Sequence, residues 1–387
     1  MEKKLPTEFA TSRADEITTR NAGLDALRSC MTLLVVFHHC AITYGAIGGW
    51  YYHEIAPSKS FSAIVLVFFC TVNQAFFMGL FFLLAGYFTP AALARKGPTR
   101  FLLDRFLRLG LPLLFFGWIL GPVTIALAST SQGHPFIATL RHLWRRGVFD
   151  TGPMWFAQAL LIFVCVAVFS LAIFPRGRNK PVADTSRFPS NTVLAMAALA
   201  TGAVALALRM VWPVGVNVWG LQLAYFASYV LLFAAGCAAA RPRWLEHLPP
   251  RQVRVWWYVC LVALPILPLV YFLGQAMPVL RGWPLRAVYA FWEPLVAWGA
   301  IMLLVDRFQT HFQARFNRLH GLWRSLARRA YAIYIVHPPL LVAVALSWRH
   351  IPAYPLLKFA VTGSVTCALC FMLAGVLLRV PVLKKIL

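Results

Sequence analysis

Ten long apolar runs separated by short polar stretches organise this chain, at about 24–47, 60–93, 109–128, 153–174, 191–211, 219–240, 255–273, 286–305, 329–348 and 356–378. Each is near the roughly 20 residues a helix needs to cross ~30 Å of hydrocarbon. Backbone groups find no water there, so a helix that bonds them internally is the economical solution. The pattern predicts an all-α, polytopic membrane protein of about ten transmembrane helices.

One run is ambiguous. Between Lys59 and Arg95 there is no charge, and as a single helix Phe61 to Leu93 would be roughly 50 Å long. A hairpin at Asn73-Gln74 is the alternative. Charge parity separates the two. With one crossing, the stretches 1–23, 94–108, 175–190, 241–254, 306–329 and 377–387 share a side and hold 26 lysines and arginines. The opposite loops hold seven: Lys59, Arg141, Arg145, Arg146, Arg281, Arg286 and Arg349. The positive-inside rule then puts both termini in the cytoplasm and favours one long, tilted or kinked helix. The expected organisation is one domain, 24–378, flanked by cytoplasmic segments 1–23 and 379–387. The first run is too long for the core of a signal peptide and is expected to stay as an anchor. The outer stretch 129–152 ends in RHLWRRGVFD, a sequence suited to the membrane surface.

Composition agrees, with 60% hydrophobic and 12% charged residues. In a soluble chain a net charge of +24 would suggest a nucleic-acid partner. Here the basic residues sit in loops, where they set topology, and membrane lipid rather than nucleic acid is the expected neighbour. Eight cysteines are scattered mostly through the apolar runs, and the one CxxC, Cys367 to Cys370, lies inside the last. No disulfide or metal site is expected.

Polar groups inside the runs are the candidates for chemistry, because each is expensive to keep there. Arg28 and His39 stand eleven residues apart, so on a helix they project within about 20° of each other, separated by about 16 Å. Two readings stand side by side. Either they form a site opening into one interior cavity that reaches the cytoplasmic face, or Arg28 anchors at the headgroups while His39 makes an interhelical bond. Asp25, three residues before Arg28, has the spacing of a helical ion pair. His38 is turned about 80° away, toward packing. His337 precedes Pro338 and Pro339 in the ninth run, about 12 Å in, and is placed to meet His39 near mid-membrane. Glu293 is the carboxylate well inside a run and must be protonated or paired. Pairing with His39, His337 or Arg28 would make a proton relay, and a structural partner elsewhere is the alternative. Asn73 and Gln74 fit interhelical hydrogen bonding. Phosphate-binding glycine loops, HExxH, GxSxG and His-x4-Asp are all missing, which leaves histidine as the natural proton acceptor.

LDALRSCMTLLVVFHHC, with Arg28 and His39, resembles the opening helix of the acyltransferase-3 membrane family, whose signature is a basic residue, ten residues and a histidine. FMGLFFLLAGYF (77–88), RFLLDRFLRLGLP (100–112), GPMWF (152–156) and YAIYIVHPP (331–339) resemble four further family elements, in the same order. Ser29 stands where glycine commonly follows the basic residue, and Ala85 where serine is usual before Gly86. The resemblance is to the form expected to lack the esterase-like extension that some members carry, as in the branch that includes glucan succinyltransferases.

The resemblance implies an integral-membrane O-acyltransferase of the bacterial inner membrane, with no permanently bound cofactor. It would move a short acyl group from cytoplasmic acyl-CoA to a hydroxyl of an envelope glycan or glycolipid. On this reading His39 is the general base or carries a transient acyl group, with His337 and Glu293 as further catalytic candidates. Arg28, Arg105 and Arg108 hold the donor, and Trp155 and Tyr334 contact substrate. The alternative from another class is a proton-coupled secondary transporter that uses Arg28, His39 and Glu293 as a relay.

Overall fold

A computed structural model describes residues 21–173, 187–280, 282–310 and 320–386. The expected segment 1–23 therefore falls outside the described residues except at its end. Within them lie ten helical stretches long and apolar enough to cross a membrane. The first is α1 (Ala22–Thr43), then α2 (Phe61–Lys96), the composite α3 (Pro98–Gln132) and a short α4 (Phe136–Arg145). After these come α5 (Trp155–Ile173), α6 (Asn191–Val211) and α7 (Phe226–Ala240). Then α8 (Pro250–Ala263) and α9 (Ile266–Ala276) together make one crossing, followed by α10 (Trp283–Thr310), α11 (His320–Ser347) and α12 (Pro355–Leu377). Among the described residues the one extended pairing is an isolated bridge, Val218 to Leu221.

Polar side chains start these helices where the apolar runs begin. Asn21 Oδ1 accepts from the Leu24 amide at 3.0 Å, and the Ser60 and Ser190 hydroxyls cap α2 and α6 in the same way. The long run is a single helix: α2 has 36 residues, about 54 Å, passes through Asn73 and Gln74 unbroken, and stops at Gly97, whose φ of +72° precedes Pro98. Two π-helical turns interrupt α3, at Phe106–Gly110 and Phe116–Leu120. Leu111 and Gly121, each just ahead of a proline, donate to carbonyls five residues back, at Phe106 and Phe116. The prolines lack an amide hydrogen and crowd the carbonyl four residues before them, and a widened turn relieves both problems. The stretch 129–152, expected as a surface segment, holds α4, tied to α3 by the Trp144 indole donating to the Trp118 carbonyl at 3.0 Å.

Helix α1 is central, packed on α2, α10, α11 and α12. Helix α2 lies along α7, and at their crossing Gly86 and Gly236 bring the two backbones together. A Cβ on Gly86 would sit 2.1 Å from the Phe233 carbonyl oxygen, and one on Gly236 would sit 2.1 Å from that of Leu83. The stretch 44–60 after α1 and the turn 212–222 after α6 lie on the face remote from the start of α1, here called the distal face.

Candidate active site

Seventeen residues of α1 carry His39 to about 6 Å from that helix's distal end. His337 stands seventeen residues into α11, and the two rings meet there. His39 Nδ1 is 3.0 Å from His337 Nε2, and His337 Nδ1 is 2.6 Å from the backbone carbonyl oxygen of Tyr334.

A carbonyl only accepts, so His337 must place its proton on Nδ1 and offer Nε2 as an acceptor. His39 then donates from Nδ1, and its own Nε2 is left with a lone pair. The Tyr334 carbonyl therefore sets the tautomer of both rings. His337 is fully buried, whereas His39 lies on the wall of a large cavity.

Trp50, from the loop after α1, stacks on His39 with ring centres 4.1 Å apart and planes 12° apart. That loop is pinned: the amides of Glu54 and Ile55 donate to the Thr43 carbonyl at 2.9 and 3.2 Å, and the Glu54 carboxylate accepts from the ammonium of buried Lys358 on α12. The Tyr334 hydroxyl donates to the Pro153 carbonyl, anchoring the turn that carries Trp155. Nearby the Tyr51 hydroxyl donates to Asp150, and burial, followed by the adjacent carboxylate, holds that phenol above its ordinary range.

The cavity has a volume of 1820 Å³. His39, Trp50, Trp155, Tyr229 and Tyr334 form its inner wall, and Trp155 stacks on Tyr229 at 5.7 Å. Of the sequence candidates it gathers His39, Trp155 and Tyr334, with His337 directly behind. His38 also touches it while stacking on Phe77 at 4.9 Å.

The three arginines expected to hold a donor are elsewhere. Arg28 makes the expected ion pair with Asp25, at 2.9 Å, and does not line the cavity. Eleven residues of helix rise place Arg28 and His39 toward opposite ends of α1, and of the two only His39 lines this cavity. Arg105 lies over the Phe101 ring at 5.0 Å and Arg108 pairs with Asp104 at 3.2 Å, both in the first turns of α3 and both away from the cavity.

Glu293 is buried and bonded to Arg209 of α6, not to His39, His337 or Arg28, so the proton relay through it is not how the structure is built. Arg209 also donates to the Ala224 carbonyl at 3.2 Å and lies 4.6 Å from the Tyr289 ring centre. It lines the cavity on a second wall with Tyr225 and Tyr289. The sequence reading missed Arg209, Lys358 and Trp50. A signal for the first was present: Glu293 demanded a cation, and Arg209 is a cation within an apolar run.

The family model described as an acyltransferase domain matches residues 21–375 of this chain. The protein belongs to the acyltransferase-3 family. No curated protein and no solved structure matches it. The family match spans nearly every described helix of this acyltransferase, from the cap of α1 into the last crossing. The two departures from the family pattern are absorbed locally: Ser29 is fully buried and donates to the Asp25 carbonyl at 2.7 Å, while Ala85 precedes the glycine at which α2 meets α7.

Proposed function

We propose that this membrane acyltransferase moves a short acyl group from acyl-CoA on the cytoplasmic side of the bacterial inner membrane to a hydroxyl of an envelope glycan or glycolipid reaching the cavity from the distal side. The observation that carries this reading is the chain from the Tyr334 carbonyl through His337 to His39, which leaves Nε2 of His39 as a proton acceptor on the cavity wall.

In the reaction, His39 Nε2 takes the proton of the acceptor hydroxyl as that oxygen attacks the thioester carbonyl carbon. The carbon–sulfur bond breaks, and the proton passes to the departing thiolate, leaving an ester and free CoA. Such a base is typically worth 10²- to 10⁴-fold in rate. The stack on Trp50 and the bond to His337 hold the imidazole in place, so little is lost in orienting it.

Arg28 supports a donor role through its position on the same face of α1, about 16 Å from His39, a distance an extended pantetheine arm can bridge. A guanidinium at that end suits the phosphates of CoA. The surplus of basic residues in the stretches on that side supports a cytoplasmic placement.

The test uses purified protein and cells expressing it. Envelope saccharides and lipids from cells with and without the protein are compared by mass spectrometry, and a missing acyl increment names both group and acceptor. His39→Ala is expected to fold and abolish the increment. Arg28→Ala is expected to raise the KM for the acyl-CoA. Wild-type transfer by a folded His39→Ala protein would refute the reading.

A further inference from the structure

The cavity is not closed on all sides by protein. Along one flank its lining comes from the distal half of α2, at Ile64, Phe68 and Thr71, and from α9, at Leu267, Tyr271 and Phe272. Both helices pack on α10, but they do not pack closely on each other. Deeper down the two sides do close, where Val72 and Ala75 of α2 cluster with Leu264 and Trp292. Above that level the space between them is bordered by exposed apolar groups: Ile64 at 40%, Phe68 at 42%, Tyr271 at 50% and Phe272 at 51%.

Two cations stand at the distal corners of this flank. Lys59 lies two residues before α2 begins, Arg286 lies in the first turn of α10, and both are exposed and line the cavity. The flank is thus apolar between the helices and positive at its rim, while the inner wall carries tyrosine and tryptophan side chains beside His39. At 1820 Å³ the cavity also exceeds the ~300–1,000 Å³ of an ordinary small-molecule site.

We infer that the cavity opens sideways into the bilayer between α2 and α9, and that it admits a saccharide carried on a lipid phosphate. The hydrocarbon lies against Phe68, Leu267 and Phe272, the phosphate between Lys59 and Arg286, and the sugar reaches inward toward Trp155 and His39. A soluble glycan would have no use for an apolar flank facing lipid, and an ordinary hydrocarbon would have none for the paired cations. The inference deepens the acyl-transfer reading and rests on it for the acceptor's role, but the lipid-phosphate site stands on geometry alone.

The test has two arms. In phosphatidylcholine nanodiscs, native mass spectrometry compares farnesyl phosphate, farnesol, inorganic phosphate and phosphatidylglycerol as probes. Farnesyl phosphate is expected to be retained best, and at least tenfold more weakly by the Lys59→Gln/Arg286→Gln protein, whose exposed positions leave the fold intact. Phe68→Glu, which puts a charge between the helices, is expected to weaken it as well. Equal retention of farnesol or phosphatidylglycerol, or indifference to the double substitution, overturns the site. The second arm follows the acyl increment in cells: it is expected in the organic-extractable saccharide fraction before the water-soluble one. An increment confined to water-soluble glycan overturns the inference while leaving acyl transfer intact. Absence of any increment in either fraction refutes acyl transfer, and the nanodisc arm still decides the site.

Discussion

His39 and His337, 298 residues apart in the sequence, are joined Nδ1 to Nε2 at 3.0 Å, with their rings stacked at 5.1 Å. Because His337 is tied to a carbonyl on its other side, it dictates which nitrogen of His39 is free. The residue behind the proposed base is therefore as important to test as the base.

His337→Gln keeps an amide oxygen to accept from His39 and an amide hydrogen for Tyr334, whereas His337→Phe removes both. We expect kcat for acyl transfer to fall about 10²-fold or more in the phenylalanine protein, within the ~10²–10⁴ range of a lost general base. The glutamine protein should retain most of it, with the KM for donor little changed in both. Equal rates in the two variants would show that the tautomer is fixed by something else.

Trp50 covers one face of His39 at 4.1 Å. A stacked aromatic pair is worth about 0.5–1.5 kcal/mol beyond burial. Trp50→Phe, which preserves the stack, should cost only a few-fold in transfer rate, and Trp50→Ala about tenfold or more. A rate for Trp50→Ala equal to wild type would remove Trp50 from the site.

The Arg209 and Glu293 pair is buried, at 4% and 1% exposure. Removing one partner strands the other charge, which costs ~3–5 kcal/mol, whereas replacing both with apolar residues of similar volume is often neutral. Arg209→Met alone should lower the unfolding temperature in detergent sharply, and Arg209→Met/Glu293→Leu should recover most of the loss. Equal destabilisation by the single and double substitutions would show that the cost is packing rather than charge.

Gly152 has φ +40°, and a Cβ there would sit 2.0 Å from the Tyr51 hydroxyl oxygen. Gly152→Ala should displace Tyr51 from Asp150 and reduce both stability and transfer. Tyr51→Phe/Gly152→Ala, lacking the clashing oxygen, should regain part of the lost stability, limited by the left-handed backbone that glycine tolerates best. Thermal unfolding of the two proteins decides this, and no difference between them would point to backbone strain and to the Phe116 ring, which a Cβ would meet at 2.9 Å.

The crossings were legible because a membrane helix depends on one strong signal, twenty apolar residues. Charge parity even distinguished one 36-residue helix from a hairpin at Asn73. The meeting of His39 and His337 was also legible, since both are intramembrane histidines at matching depth. Helical arithmetic did not reveal where Arg28 leads: shared azimuth on one helix says nothing about whether a cavity runs its length. The partner of Glu293 was hidden for a related reason, because pairing between α6 and α10 is a tertiary fact and Arg209 sits close enough to a run's end to pass for a loop charge. Trp50 lay in a loop, where periodicity carries no information, and only the pinned turn at Glu54 brings it over the imidazole.

The glycine crossing of α2 and α7 has a consequence for how this molecule can move. Where main chain rests on main chain at Gly86 and Gly236, neither rod can slide or tilt without collision, so the two behave as one stiff keel. Whatever displaces one of them must carry the other with it, so the pair enters any rearrangement of the cavity as a single piece.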